Sequence, residues 1–463
     1  MPGLYQIHHL MMTRRSGFNS VCKSSMIMDS FQLTSITLTL LKEHSILWLQ
    51  LIPMLIVVEL PLSLLVLTGI FRWAYHQPTP LPTHYPSLSF MIVCYGEGDA
   101  ITVSIDTLVE QIYPGNIEIL VIVDGASQNQ HTYHAAIRAK KKHKKRRLRT
   151  IRVLPKWQRG GRVSSCNAGL SQAKNDIVFA IDGDTSFDNN MAIEMVNNFT
   201  DPNIIGSGGT LRVRNWRTNF ITRMQALEYM MSIQAGKTGM AAWGVLNNIS
   251  GAFGAFRKDA LRQVGGWDTH TAEDLDLTMR LKQYKKRYPK SDVAFSPLAV
   301  GHTDVPDTLK GIVMQRLRWD GDLLFIFFRK HRQGLTPRLL GWGNFLFILV
   351  YGILQNILMP LLIFGYTLFL FAQYPLTFVF AILLTLYFVY MVMIIIHFVV
   401  FIGLVSERKY ADTTLIGWLP FYPFFAFFMR LVTAFSMINE LVRRSHEESG
   451  MAPWWVLKRG KKF

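Results

Sequence analysis

Apolar residues recur along this chain in two rhythms, and each predicts a different kind of element. The first is long. From Leu339 to Ser406 there is no Asp, Glu, Lys or Arg, a run of 68 residues. A helix crosses a bilayer core in about 20 residues, so the run predicts two crossings with a break at Ala372-Gln-Tyr-Pro375. An earlier apolar block, Ile46–Phe71, predicts another span although Gln50, Pro53, Glu59 and Pro61 interrupt it. A last block, Thr413–Met429, carries Pro420 and Pro423 and reads as re-entrant or interfacial, an incomplete crossing. The second rhythm is short: Ser87–Tyr95, Ile117–Val123, Leu148–Leu154 and Ile177–Ile181 are apolar runs bounded by polar turns, the pattern of buried strands. Ile101–Gln111 and Ser164–Ala173 between them have helical spacing. Alternation of strand and helix predicts a parallel sheet. Ligands of such sheets bind beyond the carboxyl ends of the strands, where Asp124-Gly125 and Asp182-Gly183-Asp184 fall.

This patterning divides the chain. Residues 1–44 form an N-terminal segment, disordered or interfacial in part, and 45–72 a transmembrane helix. An α/β domain fills 83–320 and an interfacial helix 321–338. Transmembrane or re-entrant helices cover 339–438, and a basic tail 439–463. The first apolar block starts too late and runs too long for a secretory signal peptide. Glu59 lies inside that block, where an ionisable group is either functional, lining a channel, or protonated and packed among helices.

Charge adds sidedness. The chain carries a formal charge of +18, and Arg138–Arg149 (RAKKKHKKRRLR) alone holds nine Lys or Arg. Such a run suits nucleic acid or nuclear import, or a solvated surface near anionic headgroups. Spans on both sides favour the second, with no nucleic acid as partner. Further basic clusters flank the apolar blocks, and the positive-inside tendency places the middle domain in the cytoplasm. Three scattered cysteines, Cys22, Cys94 and Cys166, match neither a metal-ligand spacing nor a disulfide framework.

Three stretches carry candidate chemistry. Asp182-Gly183-Asp184 sets two carboxylates at a strand end, enough for a hard cation that draws its other ligands from water and phosphate; alone it also describes an ordinary turn. Thr271–Leu281 (TAEDLDLTMRL) predicts a helix start, where acidic residues favour the dipole. Its three carboxylates, Glu273, Asp274 and Asp276, exceed what capping needs, and one of them can act as a general base. Gln315-Arg316-Leu317-Arg318-Trp319 places two guanidiniums and an indole just before the apolar run. Guanidinium groups bind phosphate oxygens in pairs, and an indole offers a flat face to a sugar ring; an interfacial anchor has the same composition.

Six elements stand in order: Cys94-Tyr95-Gly96-Glu97, Val123-Asp124-Gly125-Ala126-Ser127, Asp182-Gly183-Asp184, Ser250-Gly251-Ala252-Phe253, Glu273-Asp274 and Gln315–Trp319. Together, followed by membrane spans, they resemble the processive family-2 membrane glycosyltransferases, the hyaluronan, chitin, poly-N-acetylglucosamine and cellulose synthases. The resemblance covers Ser87–Arg459. It implies an α/β nucleotide-sugar-binding domain of the GT-A type, cytoplasmic and inserted between transmembrane helices. It implies that Tyr95, Glu97 and Asp124 line the nucleotide pocket, and that Asp182 lies by the nucleotide with Asp184 on a Mg²⁺ or Mn²⁺ ion. Lys156, Arg162, Gln315, Arg316 and Arg318 would serve the diphosphate. Asp274 would be the catalytic base beside Glu273, and Ser250, Gly251 and Trp319 would meet the acceptor. Departures from the family pattern are Gly96 where Asn is usual, Gly161-Arg162 in place of Gly-Lys, and Asp320-Gly321-Asp322 after Trp319. The tail 452–460 (APWWVLKRG), with Trp454 and Trp455, is similar to the ends of some relatives. His302 reads as structural or gating.

The expected function is polymerisation of a UDP-sugar, UDP-N-acetylglucosamine first, into a β-linked polysaccharide extruded across the plasma or inner membrane. Membrane lipid and an accessory subunit are the further partners expected. The alternatives are a UDP-glucose-dependent β-glucan synthase, a single-transfer lipid glycosyltransferase, and a membrane transporter with a basic regulatory domain.

Overall fold

A computed structural model describes residues 58–76, 84–268 and 272–443. The predicted segments 1–44 and 45–57, Thr271, and most of the basic tail with Trp454 and Trp455 lie outside the described residues. Eight strands form one sheet: β1 (Leu88–Cys94), β2 (Ile117–Asp124), β3 (Arg149–Lys156), β4 (Ile177–Asp182), β5 (Ser186–Phe187), β6 (Ile204–Val213), β7 (Phe253–Arg257) and β8 (Asp292–Thr303). Their order is β3-β2-β1-β4-β7-β6-β8-β5. The apolar runs become β1, β2 and β4, whose side chains are buried on both faces, as helices above and below a parallel sheet require. The helices Ala100–Val109 and Gly161–Gln172 match the spacing predicted for them within a few residues.

The sheet is mixed, not purely parallel as predicted. β7 runs antiparallel between β4 and β6, and that reversal has a use. Pairing of Val93 with Asp182 and of Cys94 with Val123 brings the ends of β1, β2 and β4 to one edge. Because Ile181 faces Phe253, reversed β7 starts at this edge, and the turn Ser250-Gly251-Ala252 arrives beside Asp182. The Asp182 amide donates to Ala252 O at 3.3 Å.

The basic run starts in a helix, Gln130–Lys142, passes through turns and ends at Arg149, the first residue of β3. Arg138 binds Asp99, Lys142 binds Asp106, and Arg149 donates to the carbonyls of Gln111 and Tyr113 at 2.9 Å. These elements border the β3 edge of the sheet. The apolar helices pack at the β6–β8 end, so the expected nearness of this run to headgroups does not follow from the fold.

Among the described residues, three helices are long and apolar enough to cross a membrane: Trp342–Gln373, Leu376–Val405 and Ile416–Val442. The first two break at Tyr374-Pro375, as expected. The third runs on for 27 residues where its prolines predicted a break. Pro420 falls in a 3₁₀ turn, and Pro423 is the second residue of the α-helix Tyr422–Arg443, where a missing N–H costs no helix bond. The element ahead of these spans also differs from the predicted boundary. A helix from Leu309 to Phe325 contains Gln315–Trp319, so this motif lies within the helix and not before it.

Leu60–Tyr75 is an apolar helix that crosses the segment Lys237–Ala242 at two glycines. A Cβ on Gly69 would stand 2.1 Å from Gly239 O, and one on Gly239 would stand 2.3 Å from Val66 O. Small residues permit this backbone approach. Glu59 is buried and accepts from Arg430 Nη2 at 2.8 Å and from the Tyr390 hydroxyl. It is packed among helices, as one of its two readings expected, but as the partner of a cation, Arg430, which neither reading included.

Candidate active site

Asp124 ends β2 only 2% exposed. Its Oδ1 accepts from Lys156 Nζ at 2.7 Å and from Gly160 N at 2.9 Å, and its Oδ2 accepts from Gly161 N at 2.8 Å. Lys156 also donates to Ser164 and Ser165 at 3.0 Å. Both residues therefore shape the loop that launches the helix Gly161–Gln172. Nearby, the Arg159 guanidinium lies 4.0 Å from the centre of the half-exposed Tyr95 ring.

That helix delivers Arg162 to the middle of the site. Its guanidinium pairs with Asp182, donates through Nε to Glu273 Oε1 at 2.5 Å, and through Nη2 to Gly251 O at 2.5 Å. One buried side chain thus ties the end of β4, the turn before β7 and the acidic helix together. Gly251 has no alternative there, since a Cβ would stand 2.8 Å from Glu273 Oε1.

The acidic helix, Glu273–Tyr284, sorts its three carboxylates into three environments. Glu273 is buried; burial and neighbouring Asp274 raise its pKa, opposed by Arg162. Asp274 is half-buried. Its Oδ2 accepts from Asn248 Nδ2 at 2.8 Å and Gly251 N at 3.2 Å, and its Oδ1 from Leu275 N at 2.7 Å. Asp276 points away, onto His331 at 2.8 Å, Lys330 at 2.9 Å and Arg280 at 2.7 Å. Ala272, which opens the helix, holds φ 45°. A left-handed non-glycine residue is strained and needs its surroundings to hold it.

Asp184 and Glu97 lie on the other side of Asp182. Burial raises both carboxyl pKa values; Asp182 pushes Asp184 further, and Asp184 and Asp182 push Glu97. Glu97 Oε2 is buried with no hydrogen-bond partner among the described residues. Gly183 permits the packing, since a Cβ there would meet Cys94 at 2.8 Å. No group of three or more metal-ligating side chains occurs among the described residues. Crowded carboxylates with an orphaned oxygen still fit a divalent cation that takes one or two protein ligands and completes its shell from substrate.

Arg316 pairs with Glu228 at 2.5 Å and lies 5.0 Å from the Trp319 ring centre. It faces these partners, while Arg318 is exposed and Gln315 Oε1 is buried with no hydrogen-bond partner among the described residues. Tyr229 links the two sides of the site: burial pushes its hydroxyl to about 12, and it senses Arg316, Glu228 and Asp184. Ser250 sits half-buried in the turn before Gly251. His302 is engaged by Asp188 at 2.9 Å, in a structural role.

Four residues escaped the sequence reading: Glu228, Asn248, Tyr229 and Lys237. Lys237 is buried, donates to Asn248 O at 3.0 Å, and has its pKa lowered to about 8 by burial, with Asp274 opposing. The segment Tyr229–Gly236 before it is a π-helix, a form often found at functional sites, yet its residue types give no period that marks it.

Known proteins share this architecture. A mannosyltransferase from Pyrobaculum calidifontis, solved with GDP-Man and Mn²⁺, superposes with a TM-score of 0.53 over 88% of this chain and 99% of its own, at 17% identity. In sequence, the poly-β-1,6-N-acetyl-D-glucosamine synthase of Staphylococcus epidermidis is 29% identical over 234 residues, 50% of this chain and 53% of the relative. The synthase of the same name from Staphylococcus aureus (strain MSSA476) is 30% identical over 233 residues, with the same shares. The chain thus spans about half the length of the curated relatives it matches. The family described as glycosyltransferase like family 2 matches residues 86–321, half of the chain, a stretch that contains all six elements from Cys94 to Trp319. With the strand order, the Asp182-Gly183-Asp184 turn and the Arg162-centred carboxylates in place, the chain belongs to that family of glycosyltransferases.

Proposed function

We propose that this protein is a processive inverting hexosyltransferase that polymerises a UDP-sugar, N-acetylglucosamine first, into a β-linked polysaccharide. The observation that carries this is the position of Arg162, which joins the donor-side carboxylate Asp182 to the acceptor-side pair Gly251 and Glu273. The staphylococcal relatives, named as synthases of such a polymer, support the choice of sugar.

Tyr95, Glu97 and the loop organised by Asp124 and Lys156 take the nucleotide in this reading, and Asp182 and Asp184 face the diphosphate. Asp184 would hold a Mg²⁺ or Mn²⁺ ion, whose charge offsets that of the leaving UDP. Asp274, held by Asn248 and Gly251, accepts the proton of the acceptor hydroxyl. The oxygen forms its bond to the anomeric carbon as the bond to UDP breaks, and the electron pair leaves with UDP. Attack from the opposite face inverts an α-linked donor to a β-linkage. Glu273, bound to Arg162, positions this pair; Arg318, Gln315 and Trp319 meet the diphosphate and the acceptor sugar. The exposed face of Trp319 suits a sugar ring, since Arg316 already lies against the indole.

In this reading the domain is cytoplasmic and the apolar helices are transmembrane. Ion pairs support a cytoplasmic loop between the second and third of these helices: the segment after Leu376–Val405 binds the catalytic domain through Arg408 to Asp188 at 2.6 Å and Asp412 to Arg212 at 2.7 Å. The test is a panel of UDP-sugars with purified protein and Mg²⁺ or Mn²⁺, reading UDP release and product size together. Long polymer from UDP-N-acetylglucosamine supports the proposal; only low-mass glycolipid would turn it to a single-transfer enzyme.

A further inference from the structure

A charge imbalance outside the carboxylate site lies at the seam between the catalytic domain and the first membrane-length helix. A cleft of about 590 Å³ opens there. Its walls come from Trp243–Val245, from Lys285 and Lys286 after the acidic helix, and from Pro337–Asn344 at the entry to Trp342–Gln373. Lys285, Lys286 and Arg338 line it against one carboxylate, Asp292, whose Oδ1 accepts from Val293 N at 2.9 Å and whose Oδ2 lies 3.4 Å from Lys285 Nζ. Three cations face one anion. A fourth cation, Arg72, lies 4.7 Å from the Trp243 ring centre at the cleft's rim.

Two further observations point to a missing ligand. Lys282 stands behind the wall with its amine buried and no hydrogen-bond partner among the described residues, and its charge interacts with Asp292 and Lys285. Burial lowers its pKa to about 7, a cost that an anion in the cleft would relieve. Asn344 donates to Gly244 O at 3.3 Å and leaves Oδ1 buried with no hydrogen-bond partner among the described residues, so it can accept from a ligand hydroxyl. The helix entered at this point adds its own field, because its first residue follows Gly341, which has no side chain to cap the opening amides.

The surroundings identify the source of the anion. Leu339 and Leu340 share the cleft with the cations. Trp342, Leu346 and Leu349 continue from it as an exposed stripe at helical spacing along the apolar helix. A free metabolite has no use for that stripe, whereas an acyl chain does.

We propose that this cleft binds the phosphate of an anionic membrane phospholipid, held by Lys285, Lys286 and Arg338, with its acyl chains along Trp342, Leu346 and Leu349. The inference rests on the membrane placement proposed above and not on the transfer reaction. Its consequence for the enzyme is mechanical: the helix that starts with Glu273 and Asp274 ends at Tyr284, and the bound headgroup ties Lys285 and Lys286 to the entry of the span.

The test uses the full chain in nanodiscs of phosphatidylcholine with and without phosphatidylglycerol, followed by native mass spectrometry for retained lipid. Wild type is expected to retain phosphatidylglycerol, and the double variant K286E/R338E to bind it at least roughly tenfold more weakly. K140E/K141E, a charge reversal of equal size at the far sheet edge, should behave as wild type. UDP affinity measured on each variant shows that the fold is intact. Equal retention by wild type and K286E/R338E overturns the site, and displacement of the lipid by inorganic phosphate or glycerol phosphate at matched concentration overturns the lipid assignment. Lipid retention is read without turnover, so a protein that binds phosphatidylglycerol but transfers no sugar would refute the function alone.

Discussion

Asp274 and Lys237 show how little of the site's electrostatics follows from residue type. Both Glu273 and Asp274 were legible as acidic residues at a helix start, but nothing in their order says that Arg162, over a hundred positions away, occupies one and leaves the other within reach. The fold decides. Asp274→Asn is expected to lower turnover about 10²–10⁴-fold with UDP affinity unchanged; retained activity would move the role of base elsewhere. Lys237 has a subtler part. Its amine, with a pKa lowered to about 8 by burial, supports the negative charge of Asp274 from behind Asn248. It loses its proton as pH rises through that value. Turnover of the wild type should therefore fall on the alkaline side near pH 8, and Lys237→Met should be slower and lack that limb. An unchanged pH–rate profile in the variant would remove Lys237 from the account.

At the scale of elements, the apolar runs that became β1, β2 and β4 were readable because central parallel strands are buried on both faces. β6, β7 and β8 were not. β6 is rich in Gly and Ser, as in Gly206-Ser-Gly-Gly209, and the pairing of all three depends on contacts distant along the chain. The helix Gln130–Lys142 was hidden for a different reason: its charge drew attention to partners, while the alanines Ala135, Ala136 and Ala139 that bury it against the domain carry little signal. The acidic helix depends on Asp276. Burial alone would raise this carboxyl, but His331, Arg280 and Lys330 more than offset it and hold it well below the usual carboxylate range. A depressed folded-state pKa contributes stability above the unfolded value, and that contribution is lost as pH falls through the folded one. Asp276→Asn should thus destabilise the protein by about 3–5 kcal/mol at neutral pH, with the gap to wild type shrinking on acidification. Denaturant unfolding at a series of pH values measures this, and a gap that does not change with pH would exclude the linkage.

For the molecule as a whole, the sequence located the apolar segments and left their docking open. Arg212 on β6 shows why. It is a basic residue in a strand, yet it binds Asp412 at 2.7 Å and Glu407 at 3.0 Å in the segment between the apolar helices Leu376–Val405 and Ile416–Val442. Ser406 adds a hydroxyl to Asp412 at 2.5 Å. Arg212→Ala leaves Asp412 buried and unpaired and should cost about 3–5 kcal/mol, seen as a lower thermal midpoint in detergent. Adding Asp412→Asn and Glu407→Gln should recover part of the loss, and failure to recover would show that the arginine acts through packing alone.

The same seam is apolar as well as ionic. Phe398, Phe401 and Val405 from the second span, with Leu419 and Phe425 from the third, belong to one continuous cluster with Leu227, Tyr229 and the interior of the sheet. There is no plane along which enzyme and anchor could be cut apart cleanly. A fragment trimmed before Trp342 to obtain a water-soluble catalyst would carry an oily scar where Phe401 had been, and would be expected to clump before it could be assayed.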